Sequence, residues 1–428
     1  MLAARDSLIA TMAEARAETD KLFALVRPDS FYHRPIPERH RIIFYLGHLE
    51  AFDWNLLRPH LAHAPSFDPA LDQLFAFGID PVDGGLPSDN ASDWPALPVV
   101  RSYVRRVREK LDAALPDAGF ADRNLLLNVA IEHRLMHAET LAYMLHQLPL
   151  ERKLPQRQTE VGPAGPAEAE MVNIPCGRAT LGLRRGGTDS FGWDNEFEQH
   201  VVEVPAFAID RYKVTNRQYL EFVRSGGYRE RSLWTEEGWR WRNEAGIEHP
   251  AFWETAREGW NYRTMFETIP LPLDWPVYVS HAEASAYANW AGQRLPSEAE
   301  WHRAAYGSGR PYPWGSDAPA PRHGYFDFAR WDPAPVNAFP DGASQSGVHG
   351  LLANGWEWTS TPFAPFQQFE PFPFYPGYSA NFFDGKHYVM KGGSARTARS
   401  MLRASFRNWF QPHYPYIYAG FRCAGEPC

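Results

Sequence analysis

The sequence predicts an α+β protein in two parts, a four-helix bundle followed by a larger, loop-rich α+β domain. Three observations carry this expectation. Apolar residues recur at helical spacing through residues 2–27, 38–64, 97–114 and 121–148. The run Val161-Gly-Pro-Ala-Gly-Pro-Ala-Glu-Ala-Glu170 then reads as a linker. Beyond it Trp, Tyr, Phe, Gly and Pro dominate, and only two helices are predicted, near 214–225 and 281–306. The expected boundaries are 1–155 for the bundle, 156–170 for the linker and 171–428 for the second domain. With 428 residues, 44% of them hydrophobic, there is ample material for two or three cores.

Taken in order, the first helix is amphipathic and carries Arg5, Asp6, Glu14, Arg16 and Glu18. These charges interrupt the apolar core that a signal peptide needs. The second, around Arg41–Trp54, places His48 on one face with Phe44, Tyr45, Ala51 and Phe52, pointing inward. A turn-rich stretch, Asp80-Pro-Val-Asp-Gly-Gly-Leu-Pro87, separates it from the third. The fourth holds Ile131-Glu-His-Arg-Leu-Met-His-Ala-Glu-Thr140. Its His133 and His137 are four residues apart, so they stack on one face and can hold one metal ion. Helix faces also produce that spacing without a metal. Bundles, however, build metal sites from side chains on facing helices, which makes His48 the third candidate ligand.

A net charge of −8 with scattered Lys and Arg offers no basic footprint for nucleic acid. Cys176, Cys423 and Cys428 form no CxxC or paired framework, which points to a reducing compartment. No run is long and apolar enough to span a membrane, so the expectation is a cytoplasmic protein without a membrane or nucleic-acid partner.

The second part carries five ordered blocks: Val214-Thr-Asn-Arg-Gln-Tyr-Leu-Glu-Phe-Val223, Arg294-Leu-Pro-Ser-Glu-Ala-Glu-Trp301, Gly355-Trp-Glu-Trp-Thr359, Lys391-Gly-Gly-Ser394 and Ala419-Gly-Phe-Arg-Cys423. Asn216 and Ser297 suit helix N-termini, and Ser297 with Glu300 resembles a capping box. Together the blocks resemble the formylglycine-generating-enzyme type of domain, which implies a C-type-lectin-like fold. Those enzymes bind copper through cysteines just after the Gly-Gly-Ser block. Here Ala395-Arg-Thr-Ala-Arg-Ser-Met-Leu402 has none, so that oxidase activity is not expected.

A three-histidine bundle joined to such a domain resembles the ergothioneine sulfoxide synthases, across nearly the whole chain. The resemblance implies a DinB-like bundle in which His48, His133 and His137 bind non-haem Fe(II). It also implies that hercynine, the betaine of histidine, is joined to a chalcogen donor at an imidazole carbon, with O2. Ser405-Phe-Arg-Asn-Trp-Phe410 matches the family's hercynine-contacting stretch, which makes Asn408, Trp409 and Phe410 candidate contacts. Aromatic faces suit a trimethylammonium group. Position 136, often Gln in the family, is Met136 here.

Other departures concern the donor. The family's loop after the first iron histidine carries Tyr and Arg, whereas Leu74-Phe-Ala-Phe-Gly-Ile-Asp-Pro-Val-Asp-Gly-Gly85 has neither. Another family tyrosine falls near Phe382 and Phe383. Without a guanidinium to pair a carboxylate, a cysteine or γ-glutamylcysteine donor is poorly served. Asp80 and Asp83 instead offer acceptors for sugar hydroxyls, although Asp in such a run is also an ordinary turn former. The favoured branch is therefore that of selenoneine synthase, which uses a selenosugar. Tyr378, Tyr388, Tyr414 and Tyr416 are candidate proton donors. Arg422 is a candidate for a substrate anion or for a buried ion pair. A thiol-using ergothioneine enzyme and a non-catalytic metal- or ligand-binding protein are the alternatives.

Overall fold

Five α-helices build the first unit among its described residues: α1 (Leu2–Ala24), α2 (Ile42–Leu57), α3 (Pro69–Leu74), α4 (Leu97–Ala114) and α5 (Arg123–Gln147). The computed structural model describes residues 2–62, 64–76, 86–156, 165, 167–186, 191–307 and 309–427. It divides into two units, Met1–Gln156 and Arg157–Cys428.

Prolines set several helix ends. Pro28 follows α1, Pro59 follows α2, and Leu148 turns extended ahead of Pro149, as a residue before proline prefers. These stops make α1 and α2 shorter than their periodic patterns. The short α3 was not anticipated. Its N-cap Asp68 accepts from the Leu71 amide at 3.2 Å.

In the bundle α1 packs on α5, and α2 packs on both α4 and α5. The central helix, α5, is buried on most of its surface, so its apolar residues surround it rather than form a stripe. It also buries a charge. Arg134 is 1% exposed and reaches Asp53 at 2.7 Å and Glu50 at 3.0 Å, both on α2. Arg108 of α4 joins Glu50 at 2.7 Å. Burial alone would raise the Glu50 pKa, but Arg134 and Arg108 hold it below the ordinary carboxylate value.

The second unit contains β1 (Met171–Ile174), β2 (Gly177–Leu181), β3 (His200–Val204), β4 (Phe207–Asp210), α6 (Asn216–Arg224), α7 (Glu236–Glu244), β5 (Trp253–Thr255), β6 (Trp260–Arg263) and β7 (Thr268–Pro270). It continues with α8 (His281–Trp290), α9 (Glu298–Tyr306), β8 (Gly355–Pro362), α10 (Gly377–Ala380), β9 (Tyr388–Gly393), β10 (Asn408–Phe410), β11 (Ala419–Gly420) and β12 (Ala424–Gly425). A four-stranded sheet runs β10-β9-β8-β11, with β11 parallel to β8 and the other pairs antiparallel. Smaller sheets are β1-β4-β12, β2-β3 and β5-β6-β7. The expected α+β class is the one observed.

Three details correct the sequence reading. The segment 281–306 is two helices, because Gly292 turns with φ +68° and Pro296 follows. The helix α7 was not anticipated. Thr215, rather than Asn216, caps α6 in a capping box with Gln218, while Asn216 bonds the Pro272 carbonyl and the Trp253 indole. The Ser297–Glu300 box is present, at 3.2 and 2.8 Å.

Three of the five signature blocks converge on one buried carboxylate. Glu357 accepts from Arg422 at 2.6 and 2.9 Å, from Trp301 at 2.9 Å, and pairs with Lys213 at 2.9 Å. Arg422 spends its other bonds on the carbonyls of Asp210, Arg211 and His349, so every guanidinium nitrogen is used within the fold. Of its two candidate roles, the structure supports the buried ion pair. Among the described residues no helix is long and apolar enough to cross a membrane.

Replacing Arg134 by Met strands Asp53 in the bundle core and takes one of the partners of Glu50, and is expected to cost about 3–5 kcal/mol in denaturant unfolding. A loss below about 1 kcal/mol, the scale of an exposed pair, would show that the network is not holding the bundle.

Candidate metal centre

Helix periodicity places His133 and His137 on one face of α5, and the packing of α2 brings His48 to them. One ring nitrogen from each of the three lies within 4.8 Å of the others, and all three residues are buried. The Nε2 atoms of His133 and His137 are 3.2 Å apart. Nitrogens bound at about 2.1 Å to a single ion would stand about 3.0–3.4 Å from one another. That edge is thus already at ligating distance, and the other two are no longer than 4.8 Å.

The rings are held from behind. His48 Nδ1 is 2.8 Å from the Phe75 carbonyl, Phe44 stacks on the His48 ring at 4.8 Å, and Phe52 lies flat on His133 at 3.5 Å. Tyr45 stands 5.8 Å from His137. Burial is the largest cause lowering all three imidazole pKa values, His48 to about 4 and the other two well below 6.5. The rings are therefore neutral at physiological pH, the form that binds a metal.

Three ring nitrogens lack hydrogen-bond partners among the described residues despite full burial: His48 Nε2, His133 Nδ1 and His137 Nδ1. A buried polar atom without a partner is costly, and the lone pair of His48 Nε2 is suited to a metal ion. The residues present fit such a group. Three imidazoles do not by themselves select iron, zinc or copper.

In the second unit, Trp409 on β10 sits in an aromatic cluster. Phe363 stacks on it at 4.2 Å and 6°, Tyr378 meets it edge-on at 5.4 Å, and Phe382 lies at 5.7 Å. Phe383 packs on Phe363 at 4.9 Å. Asn408, Trp409 and Phe410 are all half-buried. The Asn408 carbonyl oxygen accepts from the Trp409 amide at 2.9 Å. Its amide nitrogen makes no hydrogen bond among the described residues.

Residues 11–147 match the DinB superfamily and residues 157–427 match the sulfatase-modifying factor enzyme 1-like domain. Over 338 residues the chain is 41% identical to the hercynine oxygenase of Mycobacterium tuberculosis, covering 76% of this chain and 77% of that protein. The chain belongs to the hercynine oxygenase family. The member from Mycolicibacterium smegmatis is 36% identical, with 99% of each chain aligned. Ergothioneine biosynthesis protein 1 of Neurospora crassa is 29% identical, over 92% of this chain and 55% of that protein.

Within this family member, the other predicted site residues fall in different surroundings. Of the four tyrosines, Tyr378 packs on Trp409. Tyr388 stacks on His281 at 3.8 Å, and Tyr414 lies between Phe410 and Tyr416. Met136 is half-buried on α5, one residue before His137. Asp80 and Asp83 lie outside the described residues. One pair went unread in the sequence. His387 Nδ1 is 2.9 Å from Asp384, and Phe382 packs on both the imidazole, with ring centroids 5.2 Å apart, and Trp409, at 5.7 Å. The Asp-x-x-His spacing was the only local signal for it.

His133→Ala removes one of three buried ligands while leaving α5 intact. It is expected to purify with less than a tenth of the wild-type metal content, about the loss that ligand-shell defects cause. Elemental analysis checks this, and full metal occupancy in the variant would place the metal elsewhere.

Proposed function

We propose that this chain is a non-haem iron(II) enzyme that forms a carbon–chalcogen bond on the imidazole of hercynine, with a selenosugar as the favoured donor. The observation that carries the reading is the three-histidine cluster in a member of the hercynine oxygenase family. At the coarser level the chain is an oxidoreductase-type, metal-using enzyme of hercynine modification.

The overall chemistry balances with dioxygen as oxidant. A selenol and the imidazole C–H each lose hydrogen, a C–Se bond and an Se–O bond form, and the second oxygen atom leaves as water. Bound iron(II) would supply coordination positions and electrons for dioxygen.

Each residue has a role that its own surroundings support. His48, His133 and His137 act as neutral donors, and Phe44, Phe52 and Tyr45 exclude water from their rings. In the second unit the half-buried faces of Trp409 and Phe382 suit a trimethylammonium group, for which cation–π attraction is worth about 0.5–2 kcal/mol per ring. The amide nitrogen of Asn408 suits the adjacent carboxylate.

The choice of selenium rests on what the donor loop lacks. Residues 74–85 contain no Arg and no Tyr, and Phe382 and Phe383 pack as apolar members of the Trp409 cluster where a family tyrosine is expected. Asp80 and Asp83 offer acceptors for sugar hydroxyls. A thiol donor is the second reading, favoured by the relatives named for ergothioneine biosynthesis.

Anaerobic reconstitution with iron(II) and hercynine, in parallel with a selenosugar, cysteine and γ-glutamylcysteine, separates these. After air is admitted, mass spectrometry is expected to show a selenium adduct from the selenosugar alone. A sulfoxide from either thiol would assign the chain to ergothioneine synthesis instead.

A further inference from the structure

The hydrogen bond behind His48 is built by an element that does little else. Helix α3 is six residues long, and the C-cap residue that follows it, Phe75, turns its carbonyl onto His48 Nδ1 at 2.8 Å. A carbonyl only accepts, so Nδ1 must carry the proton and Nε2 must be the bare lone pair. In water the neutral histidine side chain favours the opposite tautomer.

Two features hold that carbonyl in place. The first is an anchor. Buried Asp72 accepts from Tyr103 of α4 at 2.7 Å, Trp54 of α2 at 3.2 Å and Ser66 at 2.5 Å, while Asn55 of α2 donates to its backbone carbonyl at 3.1 Å. The second is a gap in α2. A Cβ at Gly47 would stand 2.5 Å from three carbons of the Phe75 ring, closer than atoms pack. Phe75 is fully buried between Trp94 and Tyr103, at 6.2 and 5.9 Å, so the ring has little room to retreat. Gly47 is also a poor helix former in the middle of a helix, and the close approach of Phe75 accounts for it.

We propose that Gly47, Phe75 and Asp72 form a positioning device that selects the metal-binding tautomer of His48: the missing Cβ admits the Phe75 ring, and Asp72 fixes α3 so that the Phe75 carbonyl takes the Nδ1 proton. This rests on the reading of the three histidines as a metal centre. Of the three, His48 is the ligand whose second nitrogen is oriented by such a bond, since Nδ1 of His133 and of His137 has no partner among the described residues. The device therefore acts on the ligand that comes from α2 and must meet the α5 pair across the bundle.

The test uses the full chain freed of metal. Nitrogen-15 NMR, with His48 assigned through His48→Ala, is expected to show a neutral ring protonated at Nδ1 in the wild type; protonation at Nε2 overturns the proposal without any packing variant. Competition of zinc(II) against a chelator is then read for Gly47→Ala, Phe75→Leu and the double variant. Gly47→Ala is expected to weaken zinc binding about 10–100-fold, the scale of lost outer-shell orientation. Gly47→Ala with Phe75→Leu is expected to return affinity close to that of Phe75→Leu alone, because the shorter side chain makes room and the carbonyl stays. Unchanged affinity in Gly47→Ala, or no recovery in the double variant, overturns the device while leaving the metal centre standing. A wild type that binds neither zinc(II) nor iron(II) overturns the metal-centre reading, and the role assigned here falls with it.

Discussion

The register between α2 and α5 depends on a charge that cannot be left alone. Arg134 is buried between His133 and Leu135 in sequence, and its partners Glu50 and Asp53 lie just beyond His48 on α2. An isolated guanidinium in such surroundings costs several kcal/mol, so the two helices are strongly held to the one alignment that pairs it. That same alignment sets His48 against His133 and His137. Apolar packing alone would tolerate small slips of one helix along another; an ion pair with hydrogen-bond geometry does not. The bundle thus spends polar residues in its core on geometry, and the candidate metal centre inherits the result.

The second unit uses the same logic with a different division of labour. Glu357, fully buried, collects Arg422, Lys213 and the indole of Trp301 from separate blocks of the chain. Removing any one partner would leave the others underpaired. The cluster around Trp409 is of another kind, aromatic rings packed on one another with the half-buried Trp409 and Phe382 at its outer side and the Asp384–His387 pair beside it. Full burial with complete pairing is what marks Glu357 and its partners as part of the fold.

Locally encoded features were legible in the sequence. Helical periodicity marked the four long helices of the bundle, and Ser297 with Glu300 announced the start of α9. The His133–His137 pair was visible because a four-residue spacing is a property of one helix. Less legible were features whose cause lies elsewhere in the chain. The break between α8 and α9 depends on a glycine turn inside an apparently continuous pattern, and α3 is too short for periodicity to show. Phe75 and Gly47 carry no mark of their relation, since one is an ordinary aromatic and the other an isolated glycine within a helix.

By itself, then, the sequence determined the class of fold, the order of its parts, the family resemblance and the residue types able to hold a metal, because each depends on composition, spacing or ordered motifs along the chain. The tertiary structure decided that His48 stands within ligating reach of the α5 pair, that its Nδ1 faces a carbonyl, that Arg422 is consumed by Glu357, and that His387 is paired with Asp384. Each of these is a contact between segments brought together by burial. The physical reason is that desolvation decides which polar groups must find one another, and it acts only once the chain has closed around them.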